Sequence, residues 1–185
     1  MTGNQNANVW RKCDVLLVNP PYPMRRGGGL VPPIGLCYLA SVLREKGAKP
    51  GILDLAVRFP ESSLSNVGNA AGALVDVLRQ MSPGLPILIG IGPLVTATLQ
   101  STRHLVSTCR RITSSPIVLG GPLCAVPGIG AVNQTFLRAD FVVAGDGEGP
   151  ITRLWRSLRD GSPVKLGDAT EGNNGHDPTP RASAY

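Results

Sequence analysis

Four apolar runs in this chain each break off into glycine or proline. Asp14–Val18 leads into Asn19-Pro20-Pro21-Tyr22-Pro23, and Ile87–Ile91 into Gly92-Pro93-Leu94-Val95-Thr96. Ile117–Leu119 leads into Gly120-Gly121-Pro122, and Phe141–Ala144 into Gly145-Asp146-Gly147-Glu148-Gly149. Short continuous apolar runs are buried strands, and strands followed by glycine-rich turns that open helices build a parallel sheet. Such a sheet binds ligands in the crevice at the carboxyl ends of its strands. Four such turns on one edge imply a large ligand approached closely by backbone.

Between these runs the apolar spacing changes to three and four residues, the period of a helix. Ile34, Leu36, Tyr38, Leu39, Val42 and Leu43 predict a helix opened by Pro33 and closed by Lys46, with Gly47 at its C′ position. Gly51–Leu55 reads as a second strand, Pro60–Asn69 as a polar loop, and Ala70–Met81 as a helix with Leu74, Val77, Leu78 and Met81 on one face. Pro86–Ile91, Ser115–Leu119 and Asp140–Ala144 read as the remaining strands. Thr96–Arg111 and Glu148–Asp160 read as helices, the latter with Ile151, Leu154, Trp155 and Leu158 inward, and a short helix is expected near Val132–Leu137. Strands alternating with helices give the α/β class, a flavodoxin-like (Rossmann-like) three-layer sandwich on a five-stranded parallel sheet. Residues 1–13 are a polar lead-in and 14–162 the domain. Residues 163–185, rich in Gly, Asn, Asp, Pro, Thr and Ser, are expected to be a disordered tail. Pro23–Pro33, with Gly27-Gly28-Gly29 inside it, is a long loop.

Composition narrows the function classes. A hydrophobic content of 42% supplies a core, and 4% aromatic content makes that core aliphatic. The net charge of +6 is spread out, with only Arg25-Arg26 and Arg110-Arg111 paired, so solvated helix faces are expected rather than a nucleic-acid surface. Cys13, Cys37, Cys109 and Cys124 lie too far apart for a zinc knuckle or a redox pair. Cys13, Cys37 and Cys124 sit among apolar residues and are expected to be buried. No apolar run approaches the roughly 20 residues of a membrane span, and a reducing cytoplasm fits the whole.

Among the turns, the pair Gly120-Gly121 exceeds what a plain turn needs and lets a planar group pass against bare backbone. Thr96 is placed to cap its helix, and Asp146 and Glu148 to favour the dipole of the next one. No G-K-[ST] follows a glycine run and no G-x-G-x-x-G follows the first strand, which excludes a Walker loop and a dinucleotide fingerprint. His104 and His176 read as surface histidines.

Together the segments D-V-L-L-V-N-P-P-Y at 14–22, V-P-P-I-G-L-C-Y-L-A-S-V-L-R-E-K-G at 31–47, L-D-L at 53–55, I-G-I-G-P-L-V-T-A-T at 89–98, V-L-G-G-P at 118–122 and F-V-V-A-G-D-G-E at 141–148 resemble a known domain. It is the N-terminal cobalamin-binding domain of cobalamin-dependent radical S-adenosylmethionine enzymes. The resemblance runs from about 14 to 160 and makes 14–162 a cobalamin-binding-like domain. It implies a corrin over the strand ends with its nucleotide tail beside the sheet. Asn19, Pro20, Pro21 and Tyr22 would lie near the corrin, and Gly92, Leu94 and Thr96 along the tail. Gly120 and Gly121 would let the tail pass, Gly145, Gly147 and Glu148 would close the far side, and Asp54 of L-D-L completes the set.

The D-x-H-x-x-G motif of methionine-synthase-like domains is absent, which implies a corrinoid without a histidine lower ligand. Gly92 stands where the family often has serine or threonine, and Leu123 where it often has histidine. The C-x-x-x-C-x-x-C of the radical domain is missing, so no iron–sulfur cluster is expected and this chain alone is not expected to cleave S-adenosylmethionine. Three functions follow. One is a carrier that presents a base-off corrinoid to a separate catalytic partner for methyl transfer. The second is an enzyme that kept the crevice for another bulky apolar molecule, with Tyr22, Asp54, Thr96, Asp146 and Glu148 as candidate groups. The third is a truncated or excised domain without activity of its own, or a non-catalytic partner subunit. No nucleic acid or membrane is expected as partner.

Overall fold

Continuous burial on both faces is what turns the apolar runs into central strands. Val15–Asn19 (β1) is buried at every position, and so is Leu88–Ile91 (β3). In the computed structural model, which describes residues 7–22, 32–59, 64–126 and 137–164, Pro50–Asp54 (β2), Ile117–Gly120 (β4) and Phe141–Val143 (β5) join them. All pairings are parallel, in the order β2-β1-β3-β4-β5. This is the flavodoxin-like order, and its switch point lies between β1 and β3.

Alternation along each strand feeds two separate cores. Val15, Leu17, Leu88 and Val118 pack under Ile34–Glu45 (α2) and Glu148–Arg159 (α6). Leu16, Val18, Ile89, Ile91, Ile117 and Leu119 pack under Leu64–Gln80 (α4) and Leu99–Ile112 (α5). The three-layer sandwich is thus observed. Each fully buried leucine contributes about 1.5–3 kcal/mol of hydrophobic stabilisation. The α2 helix ends as its sequence specifies, with Lys46 at the C-cap and Gly47 at φ 92°.

The structure revises several expectations. The segment read as loop up to Asn69 is already helical from Leu64, as the opening turns of a helix whose buried face begins at Ala70 and runs through Leu74, since a helix once nucleated by packing propagates at little cost through weak formers. Thr96–Arg111 is not one helix: Thr96–Thr98 is a 3₁₀ turn and the α-helix starts at Leu99. Two short helices, Ala7–Trp10 (α1) and Leu55–Arg58 (α3), and a 3₁₀ turn at Pro122–Ala125 were not signalled by periodicity. Cys37 is exposed rather than buried, because α2 turns it outward with Ile34 and Tyr38, while Leu36, Ala40 and Leu43 face the core. Most of the Pro23–Pro33 loop, all but Leu137 of the Val132–Leu137 helix, Arg25-Arg26, His176 and the tail from 165 onward lie outside the described residues. Among the described residues, no helix is long and apolar enough to cross a membrane.

Candidate functional site

A cavity of about 600 Å³ opens at the carboxyl ends of β1, β3, β4 and β5 and runs down between the sheet and the α2/α6 layer. Register places Leu17, Gly90 and Val118 side by side, and these residues form its floor. A Cβ on Gly90 would stand 2.9 Å from Leu17 Cδ2, so the missing side chain is part of what keeps the cavity open. Leu36 and Leu39 of α2 and Ile151 of α6 form the opposite wall. Gly147, at the N-cap of α6, lets Leu39 come close: a Cβ there would sit 3.2 Å from Leu39 Cδ2.

The adjacent glycines after β4 have different neighbours. Gly121, at φ 129°, packs against backbone of the preceding turn, where a Cβ would lie 2.4 Å from Leu94 N. A Cβ on Gly120 would meet no protein atom within 4 Å and would project into open space at the cavity rim. The fold therefore requires glycine at 121 but not at 120.

The turns themselves are clasped by backbone. Leu94 N donates to Gly120 O at 2.7 Å, Leu123 N to Leu94 O at 3.1 Å, and Gly92 N to Val18 O at 3.1 Å. A Cβ on Gly92 would lie 2.7 Å from Gly120 O, which explains glycine there on packing alone. The helix start expected to be capped by Thr96 is organised by Thr98. Its Oγ1 accepts from Val95 N at 3.0 Å and donates to Pro93 O at 2.9 Å. Thr96 is exposed, because the 3₁₀ turn moves the buried hydroxyl two residues on. Ser101, buried on α5, donates to Pro21 O at 3.1 Å and so holds the N-P-P-Y turn against the sheet end.

Of the residues anticipated from sequence, the cavity brings together Asn19, Tyr22, Gly92, Gly120, Gly121, Gly145, Asp146, Gly147 and Glu148. It does not bring in the others. Pro20 and Pro21 are buried and do not line it. Leu94 is buried in the α4/α5 core, because the clasp turns its side chain to the other face of the sheet. Thr96 points elsewhere, and Leu123 packs against that same core. Asp54 stands one step removed, as N-cap of α3: its Oδ1 accepts from Ala56 N and Val57 N at 3.1 Å and from Asn19 Nδ2 at 2.8 Å. Leu17, Gly90, Val118, Leu36, Leu39 and Ile151 were not anticipated as site residues. A glycine inside the third apolar run was the one signal that could have pointed to them.

Polar lining is sparse. Asn19, Tyr22, Asp146 and Glu148 stand among aliphatic groups and bare backbone. Among the described residues, no histidine lines the cavity, and no three of His, Cys, Asp or Glu cluster where they could hold a metal ion. His104 is exposed on α5. Cys13, Cys109 and Cys124 are buried away from the cavity, and burial pushes their thiols up to about 11, 12 and 12 respectively. These are structural thiols.

Order, register and cavity together define a flavodoxin-like α/β domain with an apolar ligand cavity beside its switch point. Among solved structures, the chain is similar to the radical S-adenosylmethionine methyltransferase TsrM from Kitasatospora setae, solved with its tryptophan substrate and the SAM analogue aza-SAM bound. The TM-score is 0.67 at 23% identity, over 83% of this chain and 27% of that one. The likeness is one of fold, and this chain spans about a quarter of that protein's length. No protein-family model matches the chain, and no curated protein was found to match it.

Proposed function

We propose that this domain binds a corrinoid such as cobalamin in a base-off form without a histidine ligand and presents it to a separate catalytic partner for methyl transfer. The observation that carries the reading is the glycine-floored, aliphatic cavity of about 600 Å³, with Gly120 open at its rim. That volume lies within the range of about 300–1,000 Å³ usual for organic ligands. It suits the nucleotide tail of a corrinoid and leaves the wider ring at the mouth, among Asn19, Tyr22 and the Gly145–Glu148 turn. Among the described residues the lining is aliphatic groups and bare backbone with Asn19, Tyr22, Asp146 and Glu148, and the absent D-x-H-x-x-G motif is what makes the reading a His-off one. The sequence resemblance and the fold shared with part of a radical S-adenosylmethionine methyltransferase support the same class of partner.

A bound corrinoid supplies the cobalt centre for group transfer. The chain's own residues do the rest. Leu17, Val118, Leu36 and Ile151 exclude water, the clasp between the turns after β3 and β4 fixes the rim, and Ser101 holds Pro21 in place. The near-absence of polar lining also favours the second reading, an enzyme acting on another bulky apolar molecule in the same cavity.

Titration of the purified protein with hydroxocobalamin and methylcobalamin, followed by gel filtration and visible absorption, tests the proposal. Stoichiometric, retained corrinoid with a base-off spectrum is expected. Loss of all colour on the column would sink it and leave the second reading.

A further inference from the structure

Asn19 ends β1, lines the cavity and keeps only 8% of its surface exposed. Its orientation is dictated from behind. Asp54, its partner in the parallel ladder with β2, uses Oδ1 to accept both N–H groups at the start of α3. A carboxylate oxygen held by two backbone donors can take only a further donor, so the Asn19 amide must turn its NH₂ toward it, as the 2.8 Å bond from Nδ2 shows. The amide oxygen is left as the other end of a locked group. Among the described residues it receives no hydrogen bond. The oxygen is not sealed from solvent and belongs to a residue of the cavity lining, so it is open to a donor that a ligand brings.

We propose that Asn19 is the specificity-determining acceptor of this site and reads a hydrogen-bond donor on the ligand. On a corrinoid that donor is the N–H of a peripheral carboxamide. The inference rests on the corrinoid reading above and adds which chemical form of the ring is selected. Hydrolysis of that carboxamide to a carboxylate removes the donor, sets lone pairs against Asn19 Oδ1 and brings a negative charge one side chain away from Asp54. The site discriminates against such an acid although the chain as a whole carries +6.

The test is a spectrophotometric affinity series on the full chain. Cobalamin is compared with its monocarboxylate isomers, each carrying one hydrolysed propionamide, on the natural protein and on Asn19→Leu, with thermal melting of both. One isomer is expected to bind about tenfold more weakly than cobalamin, the change that one lost hydrogen bond represents. That gap should close in Asn19→Leu. If every isomer binds the natural protein as cobalamin does, the inference is wrong while the corrinoid reading stands. If Asn19→Leu weakens all ligands equally and keeps the gap, Asn19 only supports the fold and the inference is again wrong. Failure of cobalamin itself to bind overturns both. If Asn19→Leu does not fold, the ligand series on the natural protein can still overturn the inference, and Asn19→Asp, which keeps the shape and an acceptor oxygen but loses the donor to Asp54, takes the place of the leucine variant.

Discussion

A Cβ at residue 121 would land 2.4 Å from the Leu94 amide nitrogen, whereas one at residue 120 would meet nothing within 4 Å. Gly121→Ala should therefore lower stability by about 2–4 kcal/mol through backbone overlap and a disfavoured φ, as read from urea unfolding. Gly120→Leu should leave the unfolding midpoint nearly unchanged and, on the corrinoid proposal, weaken retention of the corrinoid at least about tenfold, since its side chain has only the cavity rim to occupy. Equal damage from both changes would mean that the turn is shaped for folding alone. A second contrast at this scale concerns the thiols. Cys37 is exposed on α2, while Cys13, Cys109 and Cys124 are buried. Near pH 8, a chromogenic disulfide should titrate one thiol rapidly in the folded protein and four in urea.

Helices α4 and α5 meet on the sheet face opposite the cavity. Gly72 sits mid-way along α4, exposed, with nothing within 4 Å of where its Cβ would be. Gly72→Ala should raise stability by about 0.5–1 kcal/mol through helix propensity, measured as a higher urea midpoint with an unchanged slope. At the far end of α5, Arg110 ion-pairs with Asp140 and donates to Arg138 O at 3.1 Å and Ser115 O at 3.4 Å. Asp140 in turn accepts from Ile117 N at 2.6 Å. This tie joins the end of α5 to the starts of β4 and β5, and the two side chains are only 28% and 29% exposed. Arg110→Ala should cost about 2 kcal/mol, with little rescue by lysine, because one ammonium cannot serve three acceptors spread around a planar fork.

For the molecule as a whole, the buried thiols set the alkaline limit of stability. Burial raises Cys13 to about 11 and Cys109 and Cys124 to about 12, whereas in an unfolded chain a thiol titrates near about 8.5. Below that value both states hold the proton and the contribution of burial is fully present. Above it the unfolded chain loses protons that the native one keeps, so stability falls as pH rises, by at most about 1.4 kcal/mol per pH unit for each thiol. The urea midpoint should drop between pH 8 and pH 10.5, and less so in Cys109→Ala once corrected for its lower starting stability. A flat profile over that window would show the thiols to be accessible.

Much of the architecture was legible in the sequence, because continuous apolar runs, helical spacing and the Gly47 stop each reflect local chemistry. The same chemistry brought Gly92, Gly120, Gly145 and Gly147 to one edge, since a parallel sheet puts every strand's carboxyl end on the same side. The depth and lining of the site were settled by tertiary structure alone. Whether Leu94 faces the cavity or the opposite core depends on the backbone clasp between two turns, and whether Gly90 abuts Leu17 and Val118 depends on strand register. Likewise Cys37 turned outward because α2 gives its core-facing stripe to Leu36, Ala40 and Leu43. The sequence pattern determined that there would be a bare-backbone edge; long-range packing decided which of its glycines face the cavity and which face the protein itself.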